Sequence, residues 1–283
     1  MKIVHAIKDL QEALADLRAQ GKTVGLVPTM GALHAGHASL VKRSVAENDA
    51  TVVSVFVNPT QFNDKNDLAK YPRTLEADCR LLEQCGATVV FAPSVEEIYP
   101  EPDMRHFSFP PLDTVMEGAY RPGHFNGVCQ IVSKLFDLVK PDRAYFGEKD
   151  FQQLAIIREM VRQLKFPLQI VGCPIVREED GLAKSSRNSY LSAEERKAAL
   201  CLSRSVFAAQ DLIEGGERNA DIVRTAVREI IEAEPLAQID YIEVVDLGNM
   251  QPVDSLGESG LVAIAVYIGK TRLIDNYLFD FDE

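Results

Sequence analysis

The sequence has no apolar run of about 18 residues, so it offers no membrane span. It has five cysteines and no CxxC pair, which leaves neither a zinc framework nor a disulfide framework; the thiols read as reduced core residues. It is poor in positive charge. Thirty Lys and Arg stand against 42 Asp and Glu, and the net charge of −12 excludes a generic nucleic-acid or anionic-membrane binder, though not a small basic pocket for a phosphate compound. No G-x-G-x-x-G follows a strand, which disfavours a nicotinamide dinucleotide site. The "GKT" at 269–271 lacks the upstream glycine of a P-loop. Internal repeats and low-complexity segments are absent. The first residues, "MKIVHAIKDLQEALADLRAQGK", are not a signal peptide: Leu10, Leu14 and Leu17 recur at helical spacing between charges, and Gly21 closes the helix. A cytoplasmic location is the expectation that follows.

What is present is a globular composition, 46% hydrophobic and 25% charged over 283 residues, enough for one large or two modest domains. Apolar stretches of strand length alternate with amphipathic helices. "TVGLVPT" (23–29), "ATVVSVFVN" (50–58), "ATVVFAP" (87–93), "RAYFG" (143–147) and "PLQIVGCPIV" (167–176) read as strands. "HASLVKRSVAEN" (37–48), "RTLEADCRLLEQCG" (73–86), "FNGVCQIVSKLFDLVK" (125–140) and "FQQLAIIREMVRQLKF" (151–166) read as helices. Near-continuous apolar strands of this kind suit a parallel sheet covered on both faces. The fold expected for 1–175 is a doubly wound α/β sheet, Rossmann-like. The pattern then changes. "LSAEERKAAL" carries a capping box, Ser192 with Glu195, opening a long helix that Gly215 and Gly216 break. "ADIVRTAVREIIEAE" is a second helix. "IDYIEVVDL" follows, and then "LVAIAVYIG" and "TRLIDNYLF", two strands joined at Gly269-Lys270 as a hairpin. Residues 176–283 therefore read as a smaller α+β C-terminal domain, with the loop 177–191 at the junction.

Ligands of open α/β sheets bind beyond the carboxyl ends of the strands. Four polar segments fall at such ends: "PTMGALHAGH", "NPTQF", "GEKD" and, shortly after Val176, "KSSRN". Their convergence suggests one shared site. In "HAGH", Gly36 allows close backbone approach, and His37 lies in the first turn of a helix, where free N–H groups and the helix dipole favour an anion. Two imidazoles there are suited to phosphate oxygens. A single such histidine is as often a cap or a satisfied core residue. A zinc pair is less favoured, because metal helices space their ligands i, i+4 and no third ligand is evident.

H-x-G-H followed by a downstream "KSSR" is similar to the HIGH and KMSKS signatures of adenylyl-transferring enzymes. At greater length, "PTMGALHAGHASL", "SVFVNPTQF", "YPRT", "RPGHFNGV", "PDRAYFGEKDFQQL", "IVREEDGLAKSSRNSYL" and "RLIDN", in this order, resemble the pantothenate synthetase (pantoate–β-alanine ligase) family along nearly the whole chain. The resemblance implies ATP-dependent condensation of pantoate with β-alanine to pantothenate, AMP and pyrophosphate through a pantoyl-adenylate, with Mg²⁺ on the phosphates, in a homodimer. It places ATP against Met30, Gly31, Ala32, Leu33, His34, Ala35, Gly36 and His37, against Gly147, Glu148, Lys149 and Asp150, and against Val176, Lys184, Ser185, Ser186 and Arg187, the last four on a loop that would act as a lid. It implies catalytic roles for His37, His34, Lys149 and Arg187, and places pantoate and β-alanine against Gln61 and Gln153, with Asn58 and Tyr71 beside them. No metal-ligating residue is assigned. Lys184 is a departure, since the family commonly has an apolar Met or Leu before "SSRN"; it reads either as a phosphate-contacting lysine or as a solvated loop lysine. Two other functions compete: a nucleotidylyltransferase that moves AMP onto a phosphate acceptor, which would want several more Arg or Lys in its pocket, and a module that binds ATP unchanged.

Overall fold

The computed structural model describes residues 1–281 and divides them into two compact units, Met1–Asp113 with Glu117–Pro174, and Thr114–Met116 with Ile175 onward. The first unit runs β1 (Lys2–Val4), α1 (Ile7–Ala19), β2 (Val24–Thr29), α2 (Ala35–Glu47), β3 (Ala50–Val55), α3 (Lys65–Lys70), α4 (Leu75–Gln84), β4 (Val89–Phe91), α5 (Val95–Ile98), α6 (Glu117–Tyr120), α7 (His124–Val139), β5 (Arg143–Gly147), α8 (Phe151–Leu164) and β6 (Gln169–Cys173). Its six strands are all parallel, in the order β1-β4-β3-β2-β5-β6. The fold class expected from the alternating pattern is the one observed.

The cause is visible in the strands. Val24, Leu26 and Val27 of β2 and Val52 and Val53 of β3 are almost wholly buried, so both sheet faces must be covered. The helices supply the cover: α1 buries Leu10, Ala13, Leu14 and Leu17, and α2 buries Ala38, Leu40 and Val41. Differences from the sequence reading are local. β1 is a strand of three residues ahead of the first helix, too short to show a period, and it pairs with β4 at the sheet edge. β3 ends at Val55, where the apolar spelling runs on to Val57.

The sheet order reverses beside β2: β3 and β4 lie to one side, β5 and β6 to the other. β2 and β3 pair along their full length, Val24↔Ala50 to Thr29↔Val55. β2 and β5 pair only at Gly25↔Arg143 and Leu26↔Ala144. Beyond that point Pro28 has no N–H to offer a neighbour. The sheet therefore parts between the carboxyl ends of β2 and β5, the switch point at which open α/β sheets take ligands.

The second unit holds α9 (Ala193–Ala198), α10 (Leu200–Glu214), α11 (Ala220–Glu232), β7 (Ala237–Asp246), β8 (Ser259–Ile268) and β9 (Thr271–Asp280), the strands forming an antiparallel β7-β8-β9 sheet. Ser192 and Glu195 form the expected capping box, but the helix it opens breaks at Ala199 and continues as α10. The hairpin turn is Gly269-Lys270, as expected. The core is made by Leu202, Val206 and Ile213 of α10, Val223, Val227 and Ile231 of α11, and Val244, Val262, Ile264 and Val266 of the sheet.

Candidate active site

The turn from β2 to α2 carries the H-x-G-H motif. His34 is the N-cap of α2, and its Nδ1 accepts the Gly36 N–H at 3.1 Å. His37 is the third helical residue, and its Nδ1 accepts the His34 N–H at 3.3 Å. The pair forms a capping box with imidazoles in place of the usual Ser and Glu. A ring nitrogen that accepts a hydrogen bond carries no proton, so the neutral rings are assigned as Nε2–H tautomers. The rings lie 4.1 Å apart, centroid to centroid. Burial pushes the His37 pKa down to about 3, aided by His34 and by the Lys149 ammonium. His37 is thus a neutral donor, placed at a helix N-terminus whose dipole favours anions.

Lys149 lies on the single turn Glu148–Asp150 that follows β5. Its charge is felt by His37 across the gap between β2 and β5. Gly147 ends β5, and Asp150 is the N-cap position of α8. Glu148 is held toward β6, where a Cβ on Gly172 would stand 2.9 Å from its Oε1, and burial raises its pKa. Met30, Gly31, Ala32, Leu33, Ala35 and Gly36 complete the turn beside the histidines.

"NPTQF" folds as a turn, Pro59–Gln61, capped by Asn58. Asn58 is 1% exposed and fully engaged. Its Nδ2 donates to Gln61 Oε1 at 3.0 Å and to the Gly127 carbonyl at 3.1 Å. Its Oδ1 accepts from Tyr99 at 2.8 Å and from Thr60 at 3.1 Å. Asn58 therefore orients the Gln61 amide. The backbone of the turn is fixed from α7: His124 Nδ1 lies 2.9 Å from the Gln61 carbonyl, and burial lowers the His124 pKa to about 4. Gly127 makes the approach possible, since a Cβ there would sit 2.3 Å from the Thr60 carbonyl oxygen. Tyr71, 5% exposed, packs edge-on against Phe62 at 5.7 Å. On α8, Gln152 turns inward, its Nε2 donating to the Leu112 carbonyl at 2.8 Å and its Oε1 accepting the Glu117 N–H at 3.0 Å. Its neighbour Gln153 lies on the partly exposed face.

In the second unit, Val176 and Lys184 close a small loop through the Lys184 N–H to Val176 carbonyl bond of 2.9 Å. Arg177 clamps its base with a two-bond pair to Asp275, 2.7 and 2.9 Å. The Lys184 ammonium pairs with Glu178. Ser185 caps the turn Ser186–Tyr190 by accepting the Arg187 N–H at 3.3 Å.

Sequence reasoning missed two participants. His124 stands inside "RPGHFNGV", but nothing in the spelling says that it reaches the Gln61 carbonyl. Asp78 is 2% exposed and accepts the N–H groups of Ala32 and Leu33. A signal for Asp78 existed: it falls in register with Leu82 and Cys85, i+4 and i+7, on the buried side of α4, where an unpaired acid would not be tolerated.

The family model for pantoate–β-alanine ligase matches residues 2–278. The chain belongs to the pantoate–β-alanine ligase family. Among relatives, the pantothenate synthetase of Bacteroides thetaiotaomicron is 68% identical over 278 residues, 98% of each chain. That of Clostridium botulinum is 50% identical over 279 residues, 99% of each chain. The crystal structure of pantothenate synthetase from Thermus thermophilus superposes with a TM-score of 0.93 at 45% identity, covering 98% of this chain and 99% of that one. A pantoate–β-alanine ligase from Francisella tularensis, solved in complex with beta-gamma ATP and β-alanine, gives 0.82 at 35% identity, covering 98% and 97%.

Proposed function

We propose that this chain condenses pantoate with β-alanine at the expense of ATP, giving pantothenate, AMP and pyrophosphate. The reading is supported by the paired His34 and His37 at the N-terminus of α2, by the Lys149 charge that His37 feels, and by Gln61, whose amide oxygen accepts from Asn58.

A carboxylate is a poor acyl donor. Its oxygen attacks the α-phosphorus of ATP, the bond to the bridging oxygen breaks, and pyrophosphate leaves with that electron pair. The product is the mixed anhydride, pantoyl-adenylate. The β-alanine amine then adds to the acyl carbon, AMP departs, and the amine loses a proton. The protein contributes position and charge. The Nε2–H groups of His34 and His37, with the Lys149 ammonium, meet charge developing on the departing phosphates. His37, whose ring burial keeps neutral, acts as a hydrogen-bond donor. Gln61 and Gln153 take the hydroxyls and carboxylate of pantoate, with Tyr71 as a wall. Glu148, Lys149 and Asp150 follow the nucleotide on the β5 side.

Mg²⁺ enters with ATP as the magnesium complex. No grouping of three or more His, Cys, Asp or Glu side chains able to hold a metal occurs among the described residues. No helix among them is long and apolar enough to cross a membrane. A cytoplasmic homodimer completes the proposal, and sedimentation should give twice the 31.4 kDa chain mass.

The test is one incubation with ATP, pantoate and β-alanine. AMP, pyrophosphate and pantothenate should appear in equal amounts. Appearance of ADP, or of no product, contradicts the reading, and transfer of AMP to a phosphate acceptor supports the nucleotidylyltransferase instead.

A further inference from the structure

The turn that carries the two histidines owes its shape to a residue on another element. Gly31 (φ +78°) and Ala32 (φ +50°) are both left-handed, and for alanine that conformation is disfavoured unless something outside holds it. Asp78 on α4 is what holds it. Its Oδ2 accepts the Ala32 N–H at 3.1 Å, and its Oδ1 accepts the Leu33 N–H at 2.8 Å and the Thr74 hydroxyl at 3.2 Å. A Cβ on Gly31 would stand 3.0 Å from the same Oδ2, so carboxylate and turn are packed face to face. The next amide in the chain, that of His34, donates to His37 Nδ1. An unbroken set of bonds therefore runs from Asp78, through residues 32–34, to the ring that meets the phosphates.

We propose that Asp78 is a positioning residue for adenylate formation: its carboxylate fixes the 31–33 turn so that the His34 amide meets His37 Nδ1 and both imidazoles present Nε2–H to the phosphates. This rests on the function proposed above. Two features separate it from a helix-stabilising acid. Asp78 lies in the first turn of α4, where any carboxylate would favour the dipole while exposed; here it is buried and bonded to backbone 45 and 46 residues away. Its sign is also wrong for affinity, because a negative charge behind a triphosphate site repels the ligand. The same bonds remove the Ala32 and Leu33 amides from the donors open to an anion, leaving that work to the imidazoles. The contribution is to geometry, at an electrostatic cost.

Asp78→Asn keeps the shape but turns an NH₂ toward one of the two amides. Thr74→Val is milder and removes only the hydroxyl bond. Each is assayed in two half-reactions: pyrophosphate release from ATP and pantoate, and pantothenate formation from supplied pantoyl-adenylate and β-alanine. A misplaced phosphate donor costs on the order of 10²-fold. Asp78→Asn should therefore slow the first half-reaction by about that factor at saturating ATP, with the second within about threefold of wild type, and Thr74→Val should slow the first by roughly a few-fold. Nitrogen-15 NMR of the histidines supplies a readout independent of turnover. In the unaltered chain His37 should show a single Nε2–H tautomer, and in Asp78→Asn a mixture. Lower thermal stability with an unchanged first half-reaction and an unchanged tautomer overturns the proposal, as does equal damage to both half-reactions. Should Asp78→Asn not fold, Thr74→Val decides by the same readings. Should the wild-type chain form no adenylate, the functional reading fails, while the tautomer comparison still judges Asp78.

Discussion

His37 is asked to be a donor with a fixed proton, and its surroundings make it one. Its Nδ1 is occupied by the His34 amide, and burial with neighbouring Lys149 keeps the ring neutral. His37→Ala should abolish pyrophosphate release while leaving the fold intact; supplied with pantoyl-adenylate and β-alanine, the variant should still make pantothenate. A variant equally slow with the ready-made intermediate would remove His37 from the first step. Lys149→Ala should lower kcat by roughly 10²-fold or more, whereas a raised ATP KM with unchanged kcat would make it a ground-state binder. Gln61→Ala and Gln153→Ala should each weaken pantoate by about 1–3 kcal/mol while sparing ATP, as calorimetry would show. The same burial sets a pH dependence. His37 and His124 have folded pKa values near 3 and near 4, below the ordinary 6.5. Between those values and 6.5 the unfolded chain binds more protons than the folded one, so stability is complete above about pH 6.5 and declines as pH falls. Tm should drop from pH 7 to 4.5, and His124→Gln should flatten that slope; an unchanged slope would contradict the assignment of His124 as a buried neutral ring.

Elements explain why some of this was legible and some was not. The parallel sheet was readable because β2, β3 and β5 are apolar on both faces, and the α2 start was readable because Gly36 and His37 sit where a strand ends. β1 was not, because three residues carry no period; its strand identity comes from pairing with β4. The α9–α10 break was invisible because Ala198 and Ala199 are good helix formers, and tertiary packing decides there. Individual motifs were legible as strings, but the bonds between them were not: Asp78 to the 32–33 turn and His124 to Gln61 join elements far apart in sequence. The packing of α7 on the glutamine turn makes a prediction at this scale. Gly127→Ala would place a methyl against the Thr60 carbonyl and must push the turn or the helix aside. It should therefore raise the pantoate KM more than the ATP KM, and equal effects on both substrates would show that α7 supports the whole unit rather than the glutamine turn.

Across the whole molecule, an acidic chain with net charge −12 carries a local phosphate site, so binding of ATP must depend on a few placed donors rather than on a general field. The parting of β2 from β5 beyond Leu26 gives those donors a place to converge in the first unit. In the second unit the "KSSRN" segment is held by its own bonds, with Arg177 on Asp275 and Lys184 on Glu178. Arg187→Ala should leave that unit folded, and a loss of folded structure by circular dichroism would assign Arg187 to the loop's architecture. The central claim is that pantoate is activated as an acyl-adenylate. It is tested most directly with pantoate labelled with oxygen-18 in its carboxylate, incubated with ATP and β-alanine, with the phosphorus NMR shift of the AMP read at the end. One labelled oxygen should appear in AMP and none in pyrophosphate. Unlabelled AMP, or label in inorganic phosphate accompanied by ADP, would contradict it.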